Sequence, residues 1–244
     1  SAAVSQFGVV CGMTMPMLSL PIVFLGALNL VLVPRLSRAC ALNRPGECRR
    51  LVSQAISAVS LLTLPSMAFM VVVGPALGRA MFHQDGVGEY LVPLACGMAM
   101  SCGCAVLCAS LNGIGRQRAV AAISLLGGTV QLGFTLALVP LSGVGMAGYV
   151  AGAVASTALE LALCLWQIVR ATGLRLEPFR WMAAPGLAAL LSGLTGNLLF
   201  RLLKDSGGAP VPAGVGTLVF SLVLYLAALQ AQGVKAWEVL RLDW

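Results

Sequence analysis

A single ionisable side chain lies deep inside an apolar stretch of this sequence. Glu160 stands within Ala158-Leu159-Glu160-Leu161-Ala162, ten residues before Arg170. At a rise of about 1.5 Å per helical residue, it lies roughly 15 Å from the charged end of the stretch. A carboxylate in hydrocarbon is costly and usually faces a bundle interior or a cavity. Glu160 therefore predicts a site for a proton, a cation or a polar substrate, or else a protonated or hydrogen-bonded packing residue.

The eight cysteines invite a metal interpretation that their spacing does not favour. Four of them, Cys96, Cys102, Cys104 and Cys108, lie in one apolar stretch, and only Cys104 and Cys108 share a helix face by i,i+4 spacing. The sequence has no Cys-x-x-Cys pair, and its single histidine, His83, lies outside this stretch. Zinc ligands are usually spaced in pairs, and cysteine also suits a packed helix as a small apolar residue. We therefore expect no metal site and no cofactor.

The sequence shows no pattern typical of an enzyme. It has no Gly-rich phosphate loop and no nucleophile elbow, and one histidine offers little scope for acid–base work. Weaker polar candidates inside apolar stretches are Asn29, Gln131 and Asn197. These side chains, together with Glu160, are the candidates for a polar path, and we do not expect catalysis.

Charged residues divide the chain into apolar stretches of the length that a membrane helix needs. The chain is 59% hydrophobic and only 9% charged, whereas a typical soluble domain has about 25% charged residues. A hydrocarbon core requires about 20 apolar residues per helix. We predict an all-α integral membrane protein, a seven-helix bundle with spans at Val9–Val33, Gln54–Gly78, Tyr90–Leu111, 119–139, 144–169, Met182–Phe200 and Val211–Val234.

The first span is expected to bend at Pro16 and Pro21 and to end at Pro34-Arg35. In a membrane, neighbouring helices can satisfy the carbonyls that an internal proline leaves unpaired, so such prolines are tolerated as kinks. The following stretch, 35–50, predicts either a short interfacial helix that ends at a Pro45-Gly46 turn or a solvated loop.

Arginine and lysine are distributed unevenly between the two sets of loops. One side carries twelve of them, namely Arg35, Arg38, Arg44, Arg49, Arg50, Arg116, Arg118, Arg170, Arg175, Arg180, Lys235 and Arg241. The other side carries three, namely Arg79, Arg201 and Lys204. The positive-inside rule places the first side in the cytoplasm, with the N-terminus outside and the C-terminus inside. The net charge of +7 thus indicates contact with anionic lipid rather than with nucleic acid.

Several short motifs, in order along residues 5–170, resemble those of a transporter superfamily. Met15-Pro16 and Leu20-Pro21, followed by Leu32-Val33-Pro34-Arg35-Leu36-Ser37, resemble the helix that opens the C-terminal lobe of the multidrug/oligosaccharidyl-lipid/polysaccharide flippase superfamily. Leu111-Asn112-Gly113-Ile114-Gly115-Arg116 resembles its helix end "Leu-Gln-Gly-x-Gly-Lys". Gly143-Val144-Gly145-Met146-Ala147-Gly148 is similar to its hairpin "Gly-x-x-Gly-Ala". The most similar branch is the stage V sporulation protein B and polysaccharide biosynthesis group, related to the lipid II flippases.

The resemblance implies one lobe of a two-lobed, MATE-like transporter of the bacterial cytoplasmic membrane. Such a transporter moves a polyprenyl-diphosphate-linked saccharide, a cell-wall or polysaccharide precursor, by alternating access to a central cavity. Residues 1–175 would be the lobe core with five helices, and 176–244 would add two helices. The partners implied are the lipid-linked sugar, membrane lipids and an N-terminal lobe on the same or another chain. The chain starts in apolar sequence without an initiator Met, so we expect a fragment of a longer protein.

The resemblance and the polar residues together give the candidate site. The candidates for transport or for lining the cavity are Pro16, Pro21, Asn29, Arg35, Gln131 and Glu160. The candidates for a lipid-tail groove in the last two helices are Gly193, Gly196 and Asn197. Two alternatives stay open. A cation-coupled multidrug exporter would favour an intramembrane carboxylate such as Glu160, and a truncated lobe would not transport at all.

Overall fold

The structure, a computed structural model, describes residues 20–72, 87–140, 145–173, 184–205 and 210–231. Apart from short turns, these residues are helical, and they include no strand. The helices of these ranges are α1 (Leu20–Ala41), α2 (Pro45–Val72), α3 (Val87–Gly113), α4 (Gln117–Leu138), α5 (Gly145–Thr172), α6 (Ala184–Asp205) and α7 (Pro210–Ala231). The all-α prediction is confirmed.

Four helices of the described ranges are long and apolar enough to cross a bilayer. They contain the stretches Pro45–Ala68 in α2, Val92–Gly113 in α3, Gln117–Leu138 in α4 and Ala147–Thr172 in α5. This length and composition support the prediction of a multi-pass membrane protein. Spans at α1, α6 and α7 stay predictions.

Large apolar side chains cover the outer surfaces of α4 and α6. Leu125 on α4 is 72% exposed and Leu194 on α6 is 66% exposed, and further leucines on both helices are similarly open. Contiguous apolar surface of this kind is rare on a soluble monomer, because water opposes it by about 25 cal/mol per Å². These surfaces therefore suit lipid chains.

The first described helix extends beyond the predicted end of its span. α1 continues through Pro34 to Ala41, and Asn43 then adopts a left-handed conformation with φ 51°. The Arg44 N–H donates to the Ala39 carbonyl at 3.0 Å, which is the closing bond of a Schellman motif. The span end expected at Pro34-Arg35 is therefore not a helix end, and that the hydrocarbon ends there stays a prediction.

The second helix begins at Pro45, nine residues before the predicted start of its membrane span at Gln54. Proline is favoured in the first helical position, because its fixed φ suits the helix and its missing N–H would have no partner there. In the first turn, the Glu47 Oε2 lies 3.5 Å from the Arg44 Nη1. The Glu47 carboxylate also lies near the positive end of the helix dipole, which favours a negative charge. Pro45-Gly46 therefore starts a helix, which contradicts the alternative of a short helix that ends at a Pro45-Gly46 turn.

The end of α3 follows from the glycine that the sequence places there. Gly115 has φ +83°. The Arg116 N–H donates to the Leu111 carbonyl at 2.9 Å, and the Gly115 N–H donates to the Asn112 carbonyl at 3.0 Å. These two bonds form a Schellman motif with glycine in the left-handed position. The Leu111–Arg116 motif therefore ends a helix, as the sequence indicates.

The described helices fall into two compact units. One unit contains α1, α2 up to Val59, α3 from Cys96, α4 and α5. The other contains α2 from Ser60, α3 up to Ala95, α6 and α7. In this second unit, the Tyr225 hydroxyl donates to the Leu61 carbonyl at 3.1 Å, within a core that includes Ala188 and Ala189. The predicted division into 1–175 and 176–244 stays a prediction.

Small residues set the helix spacing in both units. In the first unit α4 and α5 pack along each other, and a Cβ at Gly152 would lie 2.7 Å from the Phe134 Cβ. Gly148, one turn earlier on α5, is also buried. Glycines spaced by four residues let helices approach closely. The Gly148–Gly152 pair therefore lies on the buried face of α5, where Gly152 serves packing within the chain.

Candidate functional site

Helix α5 lies between α3 and α4 in the first unit. It runs parallel to α3, because Gly97 lies against Val154 and Gly103 lies against Leu161 further along both helices. It runs antiparallel to α4, as expected of a helical hairpin. Residues on the buried face of α5 therefore meet side chains from two neighbours at once.

The carboxylate of Glu160 is placed at this junction. On the α4 side its Oε1 fills the space where a Cβ of Gly127 would stand. On the α3 side its Oε2 is 3.8 Å from the Cys104 thiol, which acts as the donor. The side chain is partly buried, and no arginine or lysine of the described ranges is within ion-pair distance of it. Gly127 thus leaves space for the Glu160 carboxylate, whose hydrogen-bond donor here is the weakly donating Cys104 thiol.

Three thiols converge beside this carboxylate. Cys104 and Cys108 stand one turn apart on α3, with their sulfurs 3.9 Å apart. Cys164 stands one turn after Glu160 on α5, and its sulfur is 3.9 Å from that of Cys104 and 3.5 Å from that of Cys108. Cys104 and Cys164 are buried, and Cys108 is partly exposed. The result is a compact cluster of three sulfurs and one carboxylate, which we call the thiol–carboxylate cluster.

Sequence reasoning missed the contribution of Cys164. Within one apolar stretch, the cysteine spacing predicts only the Cys104–Cys108 pair. A signal was nevertheless present, since Glu160 and Cys164 also have i,i+4 spacing and so share a face of α5. Two such pairs on two apolar helices can come into contact if the helices are neighbours. The sequence does not show that α3 packs against α5, and only this packing brings the two pairs together.

Asn29 on α1 is a second polar residue inside an apolar helix. Its amide oxygen is buried and has no hydrogen-bond partner among the described residues. An unsatisfied buried acceptor costs about 1–3 kcal/mol. Such an atom is therefore uncommon unless a donor from outside the protein binds it. Asn29 belongs to the same compact unit as Glu160.

The other predicted transport residues that the structure describes lie on α1 and α4. Arg35 is partly buried on α1 and takes part in a polar or electrostatic interaction. Gln131 is partly buried on α4, and its backbone carbonyl accepts from the Thr135 hydroxyl at 2.8 Å. Pro21 lies in the first described turn of α1, and Pro16 lies outside the described residues.

The predicted lipid-tail residues lie on α6, in the other unit. Gly193 and Gly196 are buried. A Cβ at Gly196 would contact the Ser221 hydroxyl and lie 3.5 Å from the Thr217 methyl group, both on α7. Gly196 therefore allows α6 and α7 to approach closely, and the open apolar surface of α6 lies elsewhere on the helix. Asn197 belongs to the same helix.

A second polar feature lies where α1 and α5 end and α2 begins. A cavity of about 370 Å³ opens there, and its lining includes Cys40, Arg44, Cys48 and Thr172. The sulfurs of Cys40 and Cys48 are 3.1 Å apart. Arg49 donates to the Thr172 carbonyl at 2.6 Å, which suits the negative end of the α5 dipole. This region forms a basic end of the unit.

The fold and composition define an all-α, multi-pass membrane protein. Compared with models of known protein families, the chain matches none, and no curated protein matches it significantly.

Proposed function

We propose that the chain is one lobe of a membrane flippase that moves a polyprenyl-diphosphate-linked saccharide. The resemblance of its motifs to the multidrug/oligosaccharidyl-lipid/polysaccharide flippase superfamily supports this class, and so does its composition. The lobe orients with its N-terminus outside and its C-terminus in the bacterial cytoplasm, as the twelve basic residues on one side favour.

The observation that carries the proposal is the unpaired amide oxygen of Asn29. A saccharide headgroup crossing a membrane needs acceptors for its hydroxyl groups, since a hydroxyl without one in hydrocarbon is costly. Asn29 offers such an acceptor on α1, and the Glu160 carboxylate offers another on α5. Alternating access would expose these groups to the cargo during part of the cycle.

A second candidate is a cation-coupled exporter, which Glu160 favours. A carboxylate at membrane depth is a common place for a coupling proton or cation, and here it has no basic partner of the described ranges within ion-pair distance. In that case Glu160→Gln would remove the dependence of transport on a cation gradient. In the saccharide flippase the same substitution would slow transport without changing such a dependence.

The test measures whether a lipid-linked saccharide changes leaflet in reconstituted vesicles. Vesicles contain the chain alone, or the chain together with the N-terminal lobe that the proposal requires, and a membrane-impermeant reagent reports the exposed headgroup. We expect flipping only when both lobes are present, because a path closed alternately on each side forms between lobes. In the complete transporter, Asn29→Ala should slow flipping, whereas Gly128→Ala on an open helix face should not.

Two results would contradict the proposal in different ways. Equal flipping by the chain alone would refute the two-lobe arrangement and favour a homo-oligomer. No flipping by the complete, folded transporter would refute the saccharide cargo.

A further inference from the structure

We propose that Cys104, Cys108, Cys164 and Glu160 bind a single thiophilic metal ion, for which Zn²⁺ fits best. The inference goes beyond the proposed transport function, since it concerns an ion that joins α3 to α5. It does not depend on the identity of any cargo.

The distances between the sulfurs are those that one tetrahedral ion requires. Zinc–sulfur bonds are about 2.3 Å long, so two sulfurs of a tetrahedral site stand about 3.8 Å apart. The three sulfur pairs of the cluster measure 3.9, 3.9 and 3.5 Å. These three sulfurs lie within 4.8 Å of one another and form the core of the site. The Glu160 Oε2 lies 3.8 Å from the Cys104 sulfur, and the carboxylate would have to turn towards the other two sulfurs to supply the fourth ligand. The three sulfurs can therefore hold an ion with only small movements, and rotation of the Glu160 side chain would bring in the oxygen.

The ligands stand on rigid elements, which favours a defined site. Cys104 and Cys108 are one turn apart on α3, and Glu160 and Cys164 are one turn apart on α5. Because the two helices run parallel, both pairs face each other at the same level. Gly127 on α4 leaves space for the carboxylate that a larger residue would fill. Cys108 and Glu160 are partly exposed, so an ion can approach from one side of the cluster.

The chemistry of the ligands selects the kind of ion. Thiolates suit Zn²⁺ and Cu⁺, whereas Mg²⁺ and Ca²⁺ require oxygen ligands. Each thiol that binds loses its proton to water, so affinity falls as the pH is lowered. A divalent cation also offsets the negative charge of the thiolates, which would otherwise be costly at membrane depth. Three neutral thiols that merely pack as small apolar groups would release no proton and would bind no ion.

Cobalt titration of the full chain distinguishes these two cases. The chain is purified in detergent with a reductant, treated with a chelator and titrated with Co²⁺ alone. We expect one Co²⁺ per chain, a thiolate-to-cobalt charge-transfer band, the visible absorption of tetrahedral cobalt, and loss of both when Zn²⁺ is added. A folded wild-type chain that gives no charge-transfer band would overturn the proposal without any variant.

Two serine variants locate the ion. Cys164→Ser should weaken binding at least about 100-fold, since even outer-shell changes cost 10- to 100-fold. Cys102→Ser is the matched control. Cys102 lies on α3 and is as buried as Cys164, but its thiol contacts the Met98 sulfur at 3.7 Å and not the cluster. Should Cys164→Ser fail to fold, Cys108→Ser at the partly exposed position gives the same test.

A further control separates the cluster from the other pair of neighbouring thiols. Cys48→Ser removes one sulfur of the Cys40–Cys48 pair and should leave cobalt binding unchanged. Loss of the band in Cys48→Ser with retention in Cys164→Ser would overturn the assignment to the thiol–carboxylate cluster. Glu160→Gln should keep the charge-transfer band but weaken binding, because the three sulfurs remain.

Discussion

Replacing Gly127 by alanine is expected to destabilise the chain by about 1–3 kcal/mol, as overpacking of a tight contact does. A Cβ at this position would fall on the Glu160 carboxylate and lie 2.5 Å from its Cγ and Cδ. The carboxylate would have to leave its place beside Cys104 and find another at membrane depth. Thermal unfolding in detergent, followed by the loss of folded monomer in size-exclusion chromatography, measures the effect.

The adjacent glycine is a matched control for this prediction. Gly128 lies on the same helix with open space around its missing Cβ, so Gly128→Ala should gain up to about 1 kcal/mol from helix propensity. Gly127→Ala should become harmless when Glu160 is also changed to alanine, because the obstructing group is gone. Equal behaviour of the two single glycine variants would show that the carboxylate does not lie against α4.

Glu160→Lys should lower the amount of folded protein in the membrane several-fold, and it is the second large effect. A lysine near the centre of a membrane helix costs about 3 kcal/mol. The ammonium group would also have to fit beside Gly127, where the carboxylate already fills the space of a Cβ. No acidic residue of the described ranges pairs with position 160 to offset the charge. Quantitative blotting of detergent-solubilised membranes gives the yield.

Glu160→Gln is the control, since glutamine has nearly the same shape and no charge. Its yield should equal that of the unchanged chain, because the amide can still accept from the Cys104 thiol. If the lysine variant accumulates as well as the glutamine variant, the side chain at 160 must reach water or lipid headgroups.

The helical nature of this chain could be predicted from its sequence because hydrocarbon leaves few choices. Apolar stretches that must satisfy their own backbone groups form helices, and charges such as Arg35 are expected where the hydrocarbon ends. They do not mark where the helix ends. That depends on local turn chemistry, and the left-handed Asn43 ends α1 while Pro45 begins α2 at once. Gly115 shows the favourable case, in which a glycine in a known motif fixed the helix end.

The site was predictable only in part, for a similar reason. Glu160 stands out in the sequence as an isolated carboxylate, so its importance needs no structure. Its neighbours cannot be read in the same way, since Gly127 and Cys164 are ordinary residues of apolar helices. Their roles arise from the order in which α3, α5 and α4 pack, and spacing along one helix does not determine which helix lies beside it.

Crosslinking between Cys108 and Cys164 tests most directly whether α3 and α5 meet as described. One variant keeps only these two cysteines, and a second keeps only Cys102 and Cys164, with the other cysteines replaced by alanine. Each is treated in membranes with a short bifunctional thiol reagent, and the linked peptides are identified by mass spectrometry. The 3.5 Å between the Cys108 and Cys164 sulfurs predicts an efficient crosslink in the first variant and none in the second. A crosslink of Cys102 to Cys164 that forms as readily, or none between Cys108 and Cys164, would contradict the thiol–carboxylate cluster.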